Sequence, residues 1–285
     1  MRIFDRISNG WTIGNISLSI IKNNPSLLLF PIISGISMII VFLSYFGGGL
    51  ILLLGASLSS FSSLESLANS DLLADSVVYV ITFGFYLTNY FIVIFFNVAL
   101  VHCAKRILDG KETSVGEGIN FALTKVINIL SWAILAATVG VILKIIQQRA
   151  GKFGEIISSI LGVVWGIATF FVVPVLAYEN VGPIDALKRS SDIIQNKWGE
   201  SLGANFSFSI FTFLGLVATI LIGMLLAVGI HPVAGLIAGI LLFLLVLSTV
   251  SAAEVVFLAA AYEHVNERPS KLFQGKILDN MFVRR

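Results

Sequence analysis

The sequence predicts an all-α polytopic membrane protein: six transmembrane helices, built as three hairpin repeats, with interfacial helices on the cytoplasmic side. Three observations predict it: an apolar composition, the gathering of apolar residues into long blocks, and a one-sided distribution of cations. Of 285 residues, 57% are hydrophobic and 12% charged, with mean hydropathy +0.96. A soluble domain carries about 25% charged residues. A water-soluble fold of this size could not cover so much apolar surface, so the surroundings are expected to be lipid.

A helix needs about 20 apolar residues to cross the hydrocarbon. Six blocks qualify, at 27–55, 77–101, 126–146, 156–178, 203–230 and 233–261, within a single membrane domain over 1–285. The first and last blocks exceed the bilayer thickness, so tilt or an extra turn in the interface is expected. The N-terminus does not read as a cleavable signal peptide. Arg2, Asp5, Arg6 and Lys22 sit in an amphipathic pattern, and the apolar block that follows is too long.

Charge then sets the orientation. Fifteen of the eighteen Lys and Arg residues fall in the N-terminus, the second and fourth loops with their flanks, and the C-terminus. The other side holds Lys144, Arg149 and Lys152. By the positive-inside rule both termini are cytoplasmic and the span count is even. The outer connections differ in kind. Residues 57–76 are Ser/Leu-rich and acidic, with Leu58, Phe61, Leu64, Ala68 and Leu72 at near-helical spacing, whereas His231-Pro232 is a bare turn.

Composition also excludes. A net charge of +2 leaves no broad basic face for nucleic acid, and the single cysteine, Cys103, forbids an internal disulfide and any CxxC site. The histidines, His102, His231 and His264, are split between the two faces and cannot share one metal. No HExxH, GxSxG or P-loop is present. The chain is therefore read as no enzyme, with no metal and no cofactor.

The even spans end alike. Ala177-Tyr178-Glu179-Asn180-Val181 closes the fourth and Ala261-Tyr262-Glu263-His264-Val265 the sixth. Phe95-Phe96-Asn97-Val98 resembles Phe170-Phe171-Val172-Val173. Amphipathic segments at 3–21, 115–124 and 184–198 precede the three odd spans. The unit reads as interfacial helix, span, span, used three times in parallel. Convergence of interfacial residues at span ends would give similar endings. A fourth amphipathic segment, 271–283, carries Phe273, Ile277 and Met281 ahead of Arg284-Arg285, and suits a helix lying against anionic lipid at the cytoplasmic face.

Trp11, Ser17, Pro25 and Leu27-Leu28-Leu29-Phe30-Pro31 with Ser34-Gly35 resemble the opening of an uncharacterised prokaryotic family of six-span membrane proteins. Pro183-Ile184-Asp185-Ala186-Leu187-Lys188-Arg189-Ser190, with Asn196-Lys197-Trp198, is loosely similar to a wider group. That group includes the membrane domain of bacterial glycerophosphodiester phosphodiesterases. The resemblance implies a multi-pass protein of a prokaryotic plasma membrane and no assigned function. It does not extend to the phosphodiesterases' separate catalytic module.

Glu254 is the most informative polar residue, lying inside the sixth block. An ionisable group within lipid usually faces a bundle interior or a wet cavity. It reads either as a proton or cation site, or as a carboxyl bonded to Asn97, Asn128 or a serine. Asn89, Asn97 and Asn128 read as helix glue, or as a polar pathway that Tyr86 and Tyr90 could line with Glu254. Lys144 reads as a side chain snorkelling to the interface. Gly162/Gly166 and Gly235/Gly239 are GxxxG pairs, expected to pack helices within the chain or between copies of a homo-oligomer. Pro31 and Pro174 lie near span ends, where a kink is tolerated.

Two functions follow. A small oligomeric channel or transporter with Glu254 on its pathway ranks slightly ahead. A non-conducting scaffold that organises lipid or a partner protein is the alternative.

Overall fold

The computed structural model describes residues 3–56, 71–149, 151–197 and 203–266. Ten α-helices run through the described residues: α1 (Ile3–Asn23), α2 (Leu29–Ala56), α3 (Asp71–Leu108), α4 (Val115–Thr124), α5 (Val126–Arg149), α6 (Gly151–Ala168), α7 (Val172–Tyr178), α8 (Pro183–Lys197), α9 (Gly203–Gly229) and α10 (Pro232–Val265). A 3-10 turn, Pro25–Leu28, joins α1 to α2. No strand occurs among the described residues.

Six of the helical segments are long and apolar enough to cross a membrane: Pro25–Gly47, Val78–Leu108, Val126–Arg149, Phe153–Tyr178, Phe208–Gly229 and Pro232–Val265. Each overlaps one of the six expected blocks, with different bounds, and the chain reads as a multi-pass membrane protein. The segment expected as a connection at 57–76 lies outside the described residues up to 70, and from Asp71 it is already the start of α3. The amphipathic tail at 271–283 also lies outside them, as does the end of the segment at 184–198.

Local chemistry sets the helix ends. Ser114 caps α4, its hydroxyl accepting the Glu117 N–H at 3.2 Å. At the C-terminus of α3, Gly110 takes φ +74°, and Lys111 N–H bonds Arg106 O at 2.8 Å. This six-to-one bond closes the helix and needs a residue at ease in the left-handed region. His231 caps α10, Nδ1 accepting Val233 N–H at 3.2 Å, and Pro232 takes the first helical position, where no N–H is needed.

The fourth span is broken. α6 stops at Ala168 and α7 starts at Val172. Pro174 has no N–H to offer Phe170 O, and its ring crowds that carbonyl, so the preceding turn opens. Phe170 and Val172 bond three residues back instead, to Ile167 O and Thr169 O. The freed Phe171 N–H donates to Ser190 Oγ of α8 at 3.0 Å, and both residues are fully buried.

Consecutive spans are neighbours: α2 with α3, α3 with α5, α5 with α6, and α9 with α10. α1 lies on α9 and α10, α4 on α3 and α5, and α8 on α6 and α7. The core sits at one end of the bundle. Leu27, Phe30, Val98–Val101, Ala104, Phe171–Val172, Val175–Ala177, Ala186 and Ala259–Ala261 are all buried there. With lipid tails as apolar as these side chains, close packing and hydrogen bonding rather than transfer out of water hold the spans together there. The far half is different. Ile39, Ile40, Leu43, Phe153, Val163, Leu221, Leu225, Val228 and Leu241 stay exposed there, as surfaces meant for hydrocarbon do.

Candidate functional site

The Ala-Tyr-Glu endings of the fourth and sixth spans meet at the capped end. Tyr178 and Tyr262 stack with ring centres 6.2 Å apart and planes 23° from parallel. Tyr262 donates its hydroxyl hydrogen to Glu179 Oε1 at 2.8 Å, and Tyr178 donates its own to Val101 O on α3 at 3.3 Å. Arg189 of α8 donates through Nε to the same Glu179 oxygen at 2.9 Å and through Nη2 to Asn266 Oδ1 at 3.2 Å. The hydrogen bond from Glu179 raises the Arg189 guanidinium pKa further above its ordinary value.

Glu263 is buried and takes Lys105 of α3 as its ion-pair partner. Lys105 Nζ also lies 4.5 Å from the centre of the Tyr178 ring, close enough for a cation–π attraction. Two tyrosines, two carboxylates and two cations from α3, α7, α8, α10 and their ends thus form one closed network. Every charge in it has a counter-charge, which is what a polar layer inside a low-dielectric head requires.

A smaller cluster flanks it. His102 stacks on Phe121 at 4.0 Å, and its Nε2 is 3.7 Å from Glu117 Oε1. Arg106 Nη1 pairs with that oxygen at 2.9 Å. Thr113 Oγ1 lies 3.2 Å from Glu117 Oε2 and 3.3 Å from Cys103 Sγ. Among the described residues, no three His, Cys, Asp or Glu side chains are grouped to hold a metal ion.

The pathway candidates are not gathered. Asn128 Nδ2 donates to Val181 O at 3.1 Å, tying α5 to the α7–α8 connection. Asn89 Nδ2 donates to Phe85 O of its own helix at 2.8 Å. Asn97 is half-buried on α3, just before the buried run Val98–Val101. Tyr86 and Tyr90 face α5. A Cβ at Gly140 would lie 3.1 Å from Tyr86 and 3.7 Å from Tyr90, so the glycine admits both rings. Lys144 Nζ reaches Thr82 Oγ1 at 3.5 Å.

Glu254 differs from the interior position expected of it. It is exposed on the outer wall of the bundle, while Ala252, Ala253, Val255 and Val256 beside it are buried. It lies on the stripe of exposed Leu236, Ile240 and Leu247, and among the described residues it has no hydrogen-bond or ion-pair partner. The physical reason is its register: residues four and seven apart share one face of a helix, and Glu254 falls with Leu247, Ile240 and Leu236 on the face of α10 that the bundle leaves uncovered.

The glycine pairs divide. A Cβ on Gly235 would fall 2.3–2.5 Å from Ala227, and one on Gly223 would fall 3.3 Å from Gly235 O and Gly239 Cα. Gly235 and Gly239 therefore pack against Gly223 and Ala227 of α9, within the chain. Gly162 and Gly166 of α6 have nothing within 4 Å of a Cβ among the described residues, so no described helix packs on them. Sequence reasoning missed Ser190 and Lys105 as partners, and also Gly223 and Ala227. That second small-xxx-small pair was the visible signal. The shared Ala-Tyr-Glu endings were the signal for the tyrosine stack.

Residues 76–271 match the model of a family of unknown function, DUF6159. The chain belongs to that family. The DUF6159 match takes in all of α3 to α10 except the first turn of α3, and so covers the whole tyrosine–carboxylate network. No curated protein and no solved structure matches, so the loose likeness to phosphodiesterase membrane domains gains no support there.

Proposed function

We propose that this DUF6159 protein is a non-conducting membrane scaffold whose packed head organises lipid or a partner protein at the cytoplasmic face. One observation carries the reading: the polar groups a pathway would need are dispersed and largely spent on their own fold. Asn128 and Asn89 bond backbone carbonyls, Tyr86 and Tyr90 pack on Gly140, and Glu254 stands on the outer wall. Among the described residues these groups do not line one route, which favours the scaffold over a channel or transporter.

The head is assigned to the cytoplasm because Lys105, Lys111, Lys125, Lys188 and Arg189 gather at its end and Lys144 and Arg149 at the other. In this reading both termini are inside, and the membrane is the prokaryotic plasma membrane that the family resemblance implies. α1, α4 and α8 are then interfacial helices, and the shared Ala-Tyr-Glu endings of the fourth and sixth spans support three hairpin repeats. The cationic face suits anionic lipid, and the unpartnered Gly162/Gly166 stripe suits a homo-oligomer.

The test is flux. Purified protein reconstituted in vesicles is expected to pass protons and potassium no faster than protein-free vesicles do. A current above that background, lost in Glu254→Gln, overturns the scaffold and restores passage.

A further inference from the structure

The α9–α10 hairpin holds a feature the scaffold reading does not use. Gly223, Ala227, Gly235 and Gly239 bring the two backbones into contact. Residues that small leave the wedge in front of the contact line unfilled. The result is a trough of about 520 Å³, walled by Leu216, Ile220 and Met224 on α9 and by Leu236, Ile240 and Phe243 on α10. Its rims face outward: Ile220 and Ile240 are each 51% exposed, Met224 and Leu236 each 63%.

The trough asks for nothing polar. Its one hydroxyl, on Thr219, donates within its own helix, to Gly215 O at 2.8 Å and Leu216 O at 2.9 Å. From Leu216 to Ala227 is 11 residues, or about 16 Å of helix. That is the depth of one leaflet, half of a hydrocarbon core about 30 Å thick. One end of the trough is Pro232, beside the turn at His231.

We propose that the α9–α10 trough holds one acyl chain of a phospholipid from the leaflet at the turn end, with the headgroup outside, level with His231. The inference rests on the chain's crossing a bilayer and not on the scaffold role, to which the flux measurement alone speaks. The lipid is chosen by its chain, so headgroup chemistry is expected to matter little.

The full chain, purified in mild detergent from membranes rich in phosphatidylethanolamine and phosphatidylglycerol, supplies the test by native mass spectrometry. Wild-type protein is expected to keep one phospholipid of either headgroup per chain. Ile220→Trp and Ile240→Trp, which fill the trough from opposite walls, are each expected to lose it while keeping wild-type helicity and a single size-exclusion peak. If a filling variant fails to fold, wild-type protein in vesicles with spin-labelled phosphatidylglycerol supplies the reading. A slowly exchanging, immobilised fraction supports the proposal. Retention unchanged by both substitutions, no retained lipid in the wild type, no immobilised fraction, or cross-linking of a second copy through the trough would overturn it.

Discussion

Buried Glu263 of α10 and half-buried Lys105 of α3 form an ion pair beside the Tyr178 ring, whose centre is 4.5 Å from the ammonium. Removing one partner of such a pair leaves the other charge stranded, at a cost of about 3–5 kcal/mol, whereas replacing both with apolar residues of similar size is often nearly neutral. Glu263→Leu and Lys105→Met are therefore each expected to lower the unfolding temperature in detergent sharply. The double variant should recover most of the loss. Additive losses would show that the two residues act independently.

Ser190→Ala removes the acceptor for the Phe171 N–H, which the break before Pro174 has left without a helical partner. An orphaned buried donor costs about 1–3 kcal/mol. Denaturant titration should show a loss in that range, and faster hydrogen exchange at 169–172 should accompany it. An unchanged exchange rate there would mean the amide has another acceptor.

The two GxxxG pairs should answer differently to the same substitution. Gly235→Leu drives a side chain into the Ala227 backbone and is expected to separate α9 from α10, with a large drop in unfolding temperature. Gly162→Leu meets open space and should leave the unfolding temperature of the isolated chain unchanged. If cross-linking finds a dimer in membranes, only Gly162→Leu should weaken it.

Glu254→Leu should not destabilise the fold. The side chain is exposed and unpartnered among the described residues, and a charge held near lipid is costly in itself. An unfolding temperature at or above wild type is expected. A marked fall would place the carboxyl in a network and revive the pathway.

How much of this was legible beforehand depended on the solvent. The six spans and the amphipathic helices at 115–124 and 184–198 follow from apolar runs and 3.6-residue periodicity, because hydrocarbon leaves backbone groups no partner outside the helix. The interruption at Ala168–Val172 was harder to see. Pro174 announced a kink near there, but not that Ser190, sixteen residues on, would receive the freed amide. Likewise Tyr178, Tyr262, Glu179 and Glu263 stood out as repeated endings, yet their meeting depends on how α7 and α10 approach each other. Glu254 was harder to place, because a run that is apolar all round shows that α10 is a span but not which of its faces the bundle covers.

All of this assumes that the capped end and the far end of the bundle lie on opposite sides of a membrane. Single cysteines at two exposed positions, Lys188→Cys on α8 and Gln148→Cys near the end of α5, report that directly; the native Cys103 is buried. With a membrane-impermeant maleimide on intact cells, Gln148→Cys should label at once and Lys188→Cys only after lysis. Labelling of both from the same compartment would contradict the account.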